Sequence, residues 1–102
     1  MLELRPTCEN CNKALSANST QARICSYECT FCADCVDKVL HNVCPNCGGG
    51  FTPRPNRPAR NWKADNYLGR DPASTKVKHR PVDCDEHERF SASLRDIAPQ
   101  ER

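Results

Sequence analysis

The chain is poor in what a self-sufficient core needs. Aromatic residues make up 6% of it, Met and Trp occur once each, and the apolar fraction reaches 37% only with the nine cysteines counted in. At 102 residues, that excludes two ordinary hydrophobic cores. Even one is short of apolar area, so metal ions or disulfides are required to complete it. No apolar run approaches the roughly 18 residues of a membrane span. The opening MLELRPTCEN lacks the apolar stretch of a secretory leader, so a reducing cytoplasm with free thiols is expected rather than an oxidising compartment with disulfides. Glycine is also scarce, and three of the four residues are consecutive, Gly48 to Gly50.

Cysteine is what the chain has in excess. The first eight run Cys8-x2-Cys11-x13-Cys25-x3-Cys29-x2-Cys32-x2-Cys35-x8-Cys44-x2-Cys47. A C-x2-C pair suits a metal because its short turn brings both sulfurs to one side of the backbone with amides pointing at them. Eight thiols make two sets of four, the ligand number of a structural zinc ion, and four thiolates leave no open position for a substrate. Two Zn2+ ions with a purely structural role are therefore expected, and no catalytic residue is assigned.

Charge is unevenly placed. Residues 1–50 hold four Lys/Arg against five Asp/Glu, a near-neutral segment that eight thiolates and two dications would bring to about −5. Residues 51–80 hold eight basic and two acidic side chains, and residues 81–102 three and six. An acidic metal head is followed by a basic middle and an acidic tail.

The pattern between the ligands predicts a small metal-stabilised α+β domain. Leu2 and Leu4 alternate with charged residues, as on an edge strand. Leu15 is placed to pack beneath the first cysteine pair. Arg23 to Phe31 alternates as a short hairpin does, with Ile24 and Phe31 facing the core. Val36, Val39, Leu40 and Val43 fall at i, i+3, i+4, i+7, the stripe of a two-turn helix that Asp34 would cap, with Asp37 in the first turn. Pro45 and the glycine run end regular structure. Beyond Phe51 a Pro-rich basic stretch reads as extended chain. Within it Trp62, Tyr67 and Leu68 are candidate anchors to the head, and Phe90, Leu94 and Ile97 mark a short amphipathic helix before Pro99. The expected division is a zinc-binding domain over 1–51 and a largely irregular extension over 52–102.

The ligand order resembles the RING-type cross-brace zinc domain, with cysteine where that family usually has histidine. CTFCADCV (Cys29 to Val36) is similar to its H-x-F-C-x2-C-[IV] run, CPNC (Cys44 to Cys47) to its closing C-P-x-C, and the intervening helix falls where a RING places its own. The resemblance covers residues 8–47 and implies a RING-like cross-brace. Cys8, Cys11, Cys32 and Cys35 would hold one ion, and Cys25, Cys29, Cys44 and Cys47 the other. Spacing alone also allows sequential pairing, with Cys8, Cys11, Cys25 and Cys29 on one ion and the remaining four on the other. The family further implies ubiquitin transfer through a shallow docking surface. There an apolar residue commonly follows the first ligand and a cation often follows the last, whereas this chain has Glu9 and Gly48. As a whole, with its opening MLELRP and its PAST segment (Pro72 to Thr75), the chain also resembles a family of short cysteine-rich bacterial proteins of unknown function.

Four functions are consistent with these residues. A zinc-binding module for a protein partner comes first. A nucleic-acid binder would use the basic 53–80 segment, with Trp62 and Tyr67 stacking on bases; the competing reading has Arg54, Arg57, Arg60 and Lys63 lying along the anionic head. A RING-type ubiquitin ligase comes next. An iron–sulfur carrier comes last: Cys29-x2-Cys32-x2-Cys35 matches the start of a ferredoxin run, but its fourth cysteine would follow three residues later, not eight. Cys84-x2-His87 has ligand spacing without a second pair to complete it, and reads with His41 and His79 as surface.

Overall fold

The computed structural model describes residues 1–102. The hairpin forms as expected: β1 (Ala22–Ile24) pairs antiparallel with β2 (Thr30–Cys32), Arg23 opposite Phe31. Its turn is closed by Glu28 N–H to Cys25 O at 3.0 Å and Cys25 N–H to Cys29 O at 3.2 Å. Glu28 takes the left-handed position at φ 65°, and its carboxylate accepts the Glu3 N–H at 2.9 Å. Ile24 is only half-buried, whereas Phe31 is enclosed. A third strand, β3 (Thr52–Pro53), adds antiparallel to β1, giving the sheet order β2-β1-β3.

Leu2 and Leu4 form no strand. Their carbonyls are taken instead by the returning chain: Leu2 O by the Arg57 guanidinium at 2.6 Å and Leu4 O by Ser74 N–H at 3.0 Å. Leu4 is nonetheless buried.

The expected two-turn helix is altered in pitch. α1 (Ala33–Cys35) is a single turn that widens into π-helix over Val36–Leu40; Cys32, not Asp34, stands at its N-cap position, and no side chain caps it. Asp34 and Asp37 lie in the first turns of the two helical pieces, where a carboxylate is favoured by the exposed amides. The helix stops because His41 and Asn42 both turn left-handed, at φ 51° and 58°. The stripe keeps its purpose, with Val36, Leu40 and Val43 buried and Val39 half-buried.

The core these elements enclose is mostly sulfur. Of its 11 buried residues, six are cysteines (Cys8, Cys25, Cys29, Cys32, Cys35, Cys44), joined by Leu15, Ala22, Phe31, Val36 and Leu40. Phe51 stands edge-on to Phe31 at 5.5 Å between ring centres. An apolar cluster this small does not offset the chain entropy of 102 residues.

Residues 54–83 carry no helix or strand, yet they run back along the domain. Ser74 Oγ donates to Glu3 at 2.8 Å, and Arg80 N–H reaches Glu9 O at 2.7 Å. The Ser74 hydroxyl, with the Arg5 guanidinium beside it, holds the Glu3 carboxyl below the usual range. The second helix, α2 (Cys84–Ser91), begins before Phe90, and Asp83 caps it by accepting Glu86 N–H at 3.1 Å. Leu94 and Ile97 lie past its end, in turns. Trp62 is not an anchor: it is 76% exposed, while Tyr67 and Leu68 are half-buried.

Candidate metal centres

Two cysteine pairs adopt one local geometry. In the first, Cys8 N–H donates to Lys13 O at 2.9 Å and Asn12 N–H to Cys8 O at 3.0 Å. In the second, Cys44 N–H donates to Gly49 O at 2.8 Å and Gly48 N–H to Cys44 O at 2.8 Å. Each loop needs a left-handed residue just after its second cysteine, and Asn12 (φ 62°) and Gly48 (φ 78°) supply it. Asn tolerates this conformation and Gly meets no penalty. A Cβ on Gly48 would stand 3.4 Å from Leu94 and 3.5 Å from Phe90, ordinary contact distances. Gly48→Ala should therefore cost about 1–2 kcal/mol through backbone strain alone, read as a lower melting temperature with metal content unchanged. Gly50 has a different reason: Pro99 sits 2.9 Å from where its Cβ would be.

The sulfurs of Cys8, Cys11, Cys32 and Cys35 all lie within 4.8 Å of one another, as do those of Cys25, Cys44 and Cys47. The first group joins the first loop to the end of β2 and α1. The second joins the hairpin turn to the second loop. The groups thus alternate along the chain, and Cys8 and Cys11 are not brought together with Cys25 and Cys29. Cys29 stands apart from the second group although it is buried; its sulfur accepts from Asn46 Nδ2 at 3.4 Å and lies beside Cys25.

The donor set fits a soft dication. Bonds of about 2.3 Å in a tetrahedral tetrathiolate put its sulfurs about 3.8 Å apart, and Cys11 and Cys32 are 3.7 Å apart without a bond between them. Burial pushes the thiols of Cys35 and Cys44 well up, against the pull of the Asn10 side chain at Cys35 and of the Asn46 and Cys47 amides at Cys44. Burial also raises Cys29 and Cys32. At Cys11 burial again opposes ionisation, but the Lys13 amide and the thiols of Cys8, Cys32 and Cys35 outweigh it, and the thiol ionises more readily than usual. Enclosed sulfurs of this kind become thiolates when a cation is there to hold them.

Two residues around the sulfurs escape a reading based on ligands alone. Asn10 and Asn46 each precede the second cysteine of a C-x2-C pair, a correspondence visible once the two pairs are aligned. Asn10 donates to Cys35 Sγ at 3.3 Å, as Asn46 does to Cys29. Asn10 also accepts from Val82 N–H at 2.8 Å through Oδ1 and from His79 Nε2–H at 3.0 Å through its carbonyl. It ties the first sulfur group to the returning chain. Asn10→Ala should weaken metal binding at that group about tenfold or more, measured by competition with a chromogenic chelator.

Several other side chains lie where the sequence does not place them. Glu9 is buried, paired with Arg5 at 2.7 Å and accepting Thr30 N–H at 2.6 Å. Arg54 and Arg57 donate to backbone carbonyls rather than to sulfur, and Arg60 and Lys63 are exposed. Cys84 and His87 form no site: Cys84 is exposed, while His87 is buried and donates through Nε2 to Leu40 O at 3.0 Å. His41 is half-buried at the helix end, and His79 is exposed. No helix is long and apolar enough to cross a membrane.

An uncharacterized protein, R02474, from Rhizobium meliloti (strain 1021) is 46% identical over 84 residues, covering 82% of this chain and 93% of that protein. No solved structure matches. The model of the family described as "Protein of unknown function (DUF1272)" matches residues 1–57, which include both sulfur groups. The chain belongs to the DUF1272 family.

Proposed function

We propose that this chain is a non-enzymatic zinc-binding module of the cytoplasm whose metal-stiffened surface is offered to a protein partner. Two Zn2+ ions are held in a RING-like cross-brace, one by Cys8, Cys11, Cys32 and Cys35 and one by Cys25, Cys29, Cys44 and Cys47. Cys29, already beside Cys25, completes the second set by turning from Asn46 toward Cys44 and Cys47. The observation that carries this reading is the convergence of four thiols from two segments far apart in sequence. An iron–sulfur cluster on Cys29, Cys32 and Cys35 fits less well, because Cys32 and Cys35 gather with Cys8 and Cys11 instead. Ubiquitin transfer is also disfavoured, because Glu9 is buried and engaged where a docking residue would stand. The test is native mass spectrometry of protein purified without chelator. Two zinc ions per chain support the proposal; iron, or one ion per chain, rejects it. Capture of partners by the zinc-loaded chain then follows.

A second reading rests on its own observation. Arg60, Lys63, Arg70, Lys76 and Lys78 are exposed without a carboxylate partner, and Trp62, between Arg60 and Lys63 in the sequence, is exposed as well. That combination suits single-stranded nucleic acid. Binding to an oligonucleotide that weakens steeply with salt would favour it; retention unaffected by salt would not.

A further inference from the structure

From Pro72 to Asp83 the returning chain makes no turn or bend, and its backbone contacts with the domain keep one parity. Ser74 N–H donates to Leu4 O at 3.0 Å, Arg80 N–H to Glu9 O at 2.7 Å and Val82 N–H to Asn10 Oδ1 at 2.8 Å. In extended chain, successive residues point their N–H and C=O groups to opposite edges. The domain therefore holds the even-numbered edge, and Thr75, Val77 and His79 turn their N–H and C=O groups outward. No protein group bonds any of these. Every residue from 75 to 80 is exposed, Val77 at 57%, and Pro81, which has no N–H to offer, closes the run. This is a strand edge with no strand beside it.

Side chains of extended chain repeat every second residue, so Lys76, Lys78 and Arg80 share one face of this edge. None has a carboxylate partner. Glu3 is near enough to feel Lys78 but is bonded to Arg5 and Ser74, and Arg80 shares a cavity wall with Asp83 and Glu86 without pairing with either. A charged edge ordinarily guards against pairing. Here it repels a second copy, whose own edge would set cation against cation, and attracts a strand whose carboxylates alternate. Nucleic acid would meet the cations with its phosphates, but it has no ladder of N–H and C=O groups to match the edge. Residues 75–80 also offer no Phe, Tyr or Trp to stack on a base.

We propose that the edge from Thr75 to Arg80 is the docking surface for the protein partner, and that an extended acidic segment adds to it as a strand, with Glu or Asp at alternate positions opposite Lys76, Lys78 and Arg80. Backbone bonds to Thr75, Val77 and His79 hold the segment, and the three cations select it. The inference rests on the module reading for the existence of a protein partner and supplies that partner's chemistry.

The test is a titration of the full, zinc-loaded chain with acetyl-Thr-Glu-Thr-Glu-Thr-Glu-amide, followed by NMR shifts and exchange rates of the backbone amides. Saturable binding that slows exchange at Val77 and His79 far more than at Lys78 is expected. The block peptide acetyl-Glu-Glu-Glu-Thr-Thr-Thr-amide, of the same composition, should bind more weakly. Val77→Pro removes the central N–H at an exposed position where that N–H has no partner. Affinity should fall about two- to tenfold, with zinc content and melting temperature unchanged. Lys78→Glu should weaken binding about three- to tenfold by setting like charges opposite one another. No saturable shift, equal affinity for the block peptide, full affinity in either variant, or the same exchange pattern produced by an oligothymidylate would overturn the proposal. So would protection of Val77 and His79 that grows with protein concentration in the absence of peptide, the mark of a second copy on the edge. Zinc content, measured on the same sample, decides the module reading; the peptide response decides the edge.

Discussion

Chelation at neutral pH is expected to abolish the cooperative thermal transition of this chain and its near-ultraviolet dichroism, and returning zinc to restore both. The size of the effect follows from what the core is made of. Six of the 11 core residues are cysteines, so removing metal leaves buried thiols in place of ligand bonds. Each structural zinc contributes about 10–16 kcal/mol of apparent binding free energy, whereas a whole domain is stable by about 5–15 kcal/mol. On the proposed two-zinc loading, loss of either ion therefore exceeds the margin. The sulfur groups alternate along the chain, so on that loading emptying one would also release segments that hold the other. Cys44→Ser should reproduce most of the loss, with Cys84→Ser, at the exposed cysteine, as the silent control. Acid acts in the same direction, because protons compete with metal for thiolates and affinity falls as pH falls. A chain that stayed compact and cooperative after exhaustive chelation would reject the metal-dependent core.

The sequence made the cysteine pairs readable because their constraint is local. A C-x2-C turn fixes two sulfurs within four residues, and period-two alternation around Phe31 is enough for a hairpin. The burial of Leu15 beneath the first pair was readable for the same reason. What escaped depends on distant partners. The widening of the helix after Cys35 has no signature in Val36–Leu40, since the apolar stripe is the same at either pitch. β3 is a Thr-Pro pair with no periodicity, and it is a strand only because β1 presents a free edge. Trp62 reads as an anchor by its type alone; its neighbours Arg60, Asn61 and Lys63 give it nothing apolar to enter. His87 shows the converse. Its spacing from Cys84 is that of a ligand pair with no second pair to complete it and reads as surface, but a carbonyl left free at the end of the π-helical turn draws it inside.

The largest effect from a residue outside the sulfur groups is expected at Arg54. A run of arginine, proline and asparagine reads as solvated chain, yet Arg54 is 4% exposed and has no carboxylate partner. Its guanidinium donates to Arg5 O and Ser16 O, both at 2.9 Å, and its N–H continues the sheet to Ala22 O at 3.0 Å. One residue thus fastens the returning chain in three places: its side chain holds the lead-in and the loop after the first cysteine pair, and its backbone N–H holds β1. Burial holds its pKa below the usual arginine value, a sign that enclosing the charge has a cost. Arg54→Leu removes that cost but strands two carbonyls. Each charge-assisted bond is worth about 1.5–3 kcal/mol, partly offset by relief of the buried charge, so a net loss of about 2–4 kcal/mol is expected. For a domain of this size that lowers the melting temperature by roughly 4–8 °C per kcal/mol. Arg54→Lys, which lacks the fork needed to reach both carbonyls, should fall between the two. Zinc content should stay at the wild-type value in both variants, because Arg54 contacts no sulfur. If Arg54→Leu melted with the wild type, the carbonyl bonds would be worth no more than the burial they require, and the returning chain would be held by its other contacts alone.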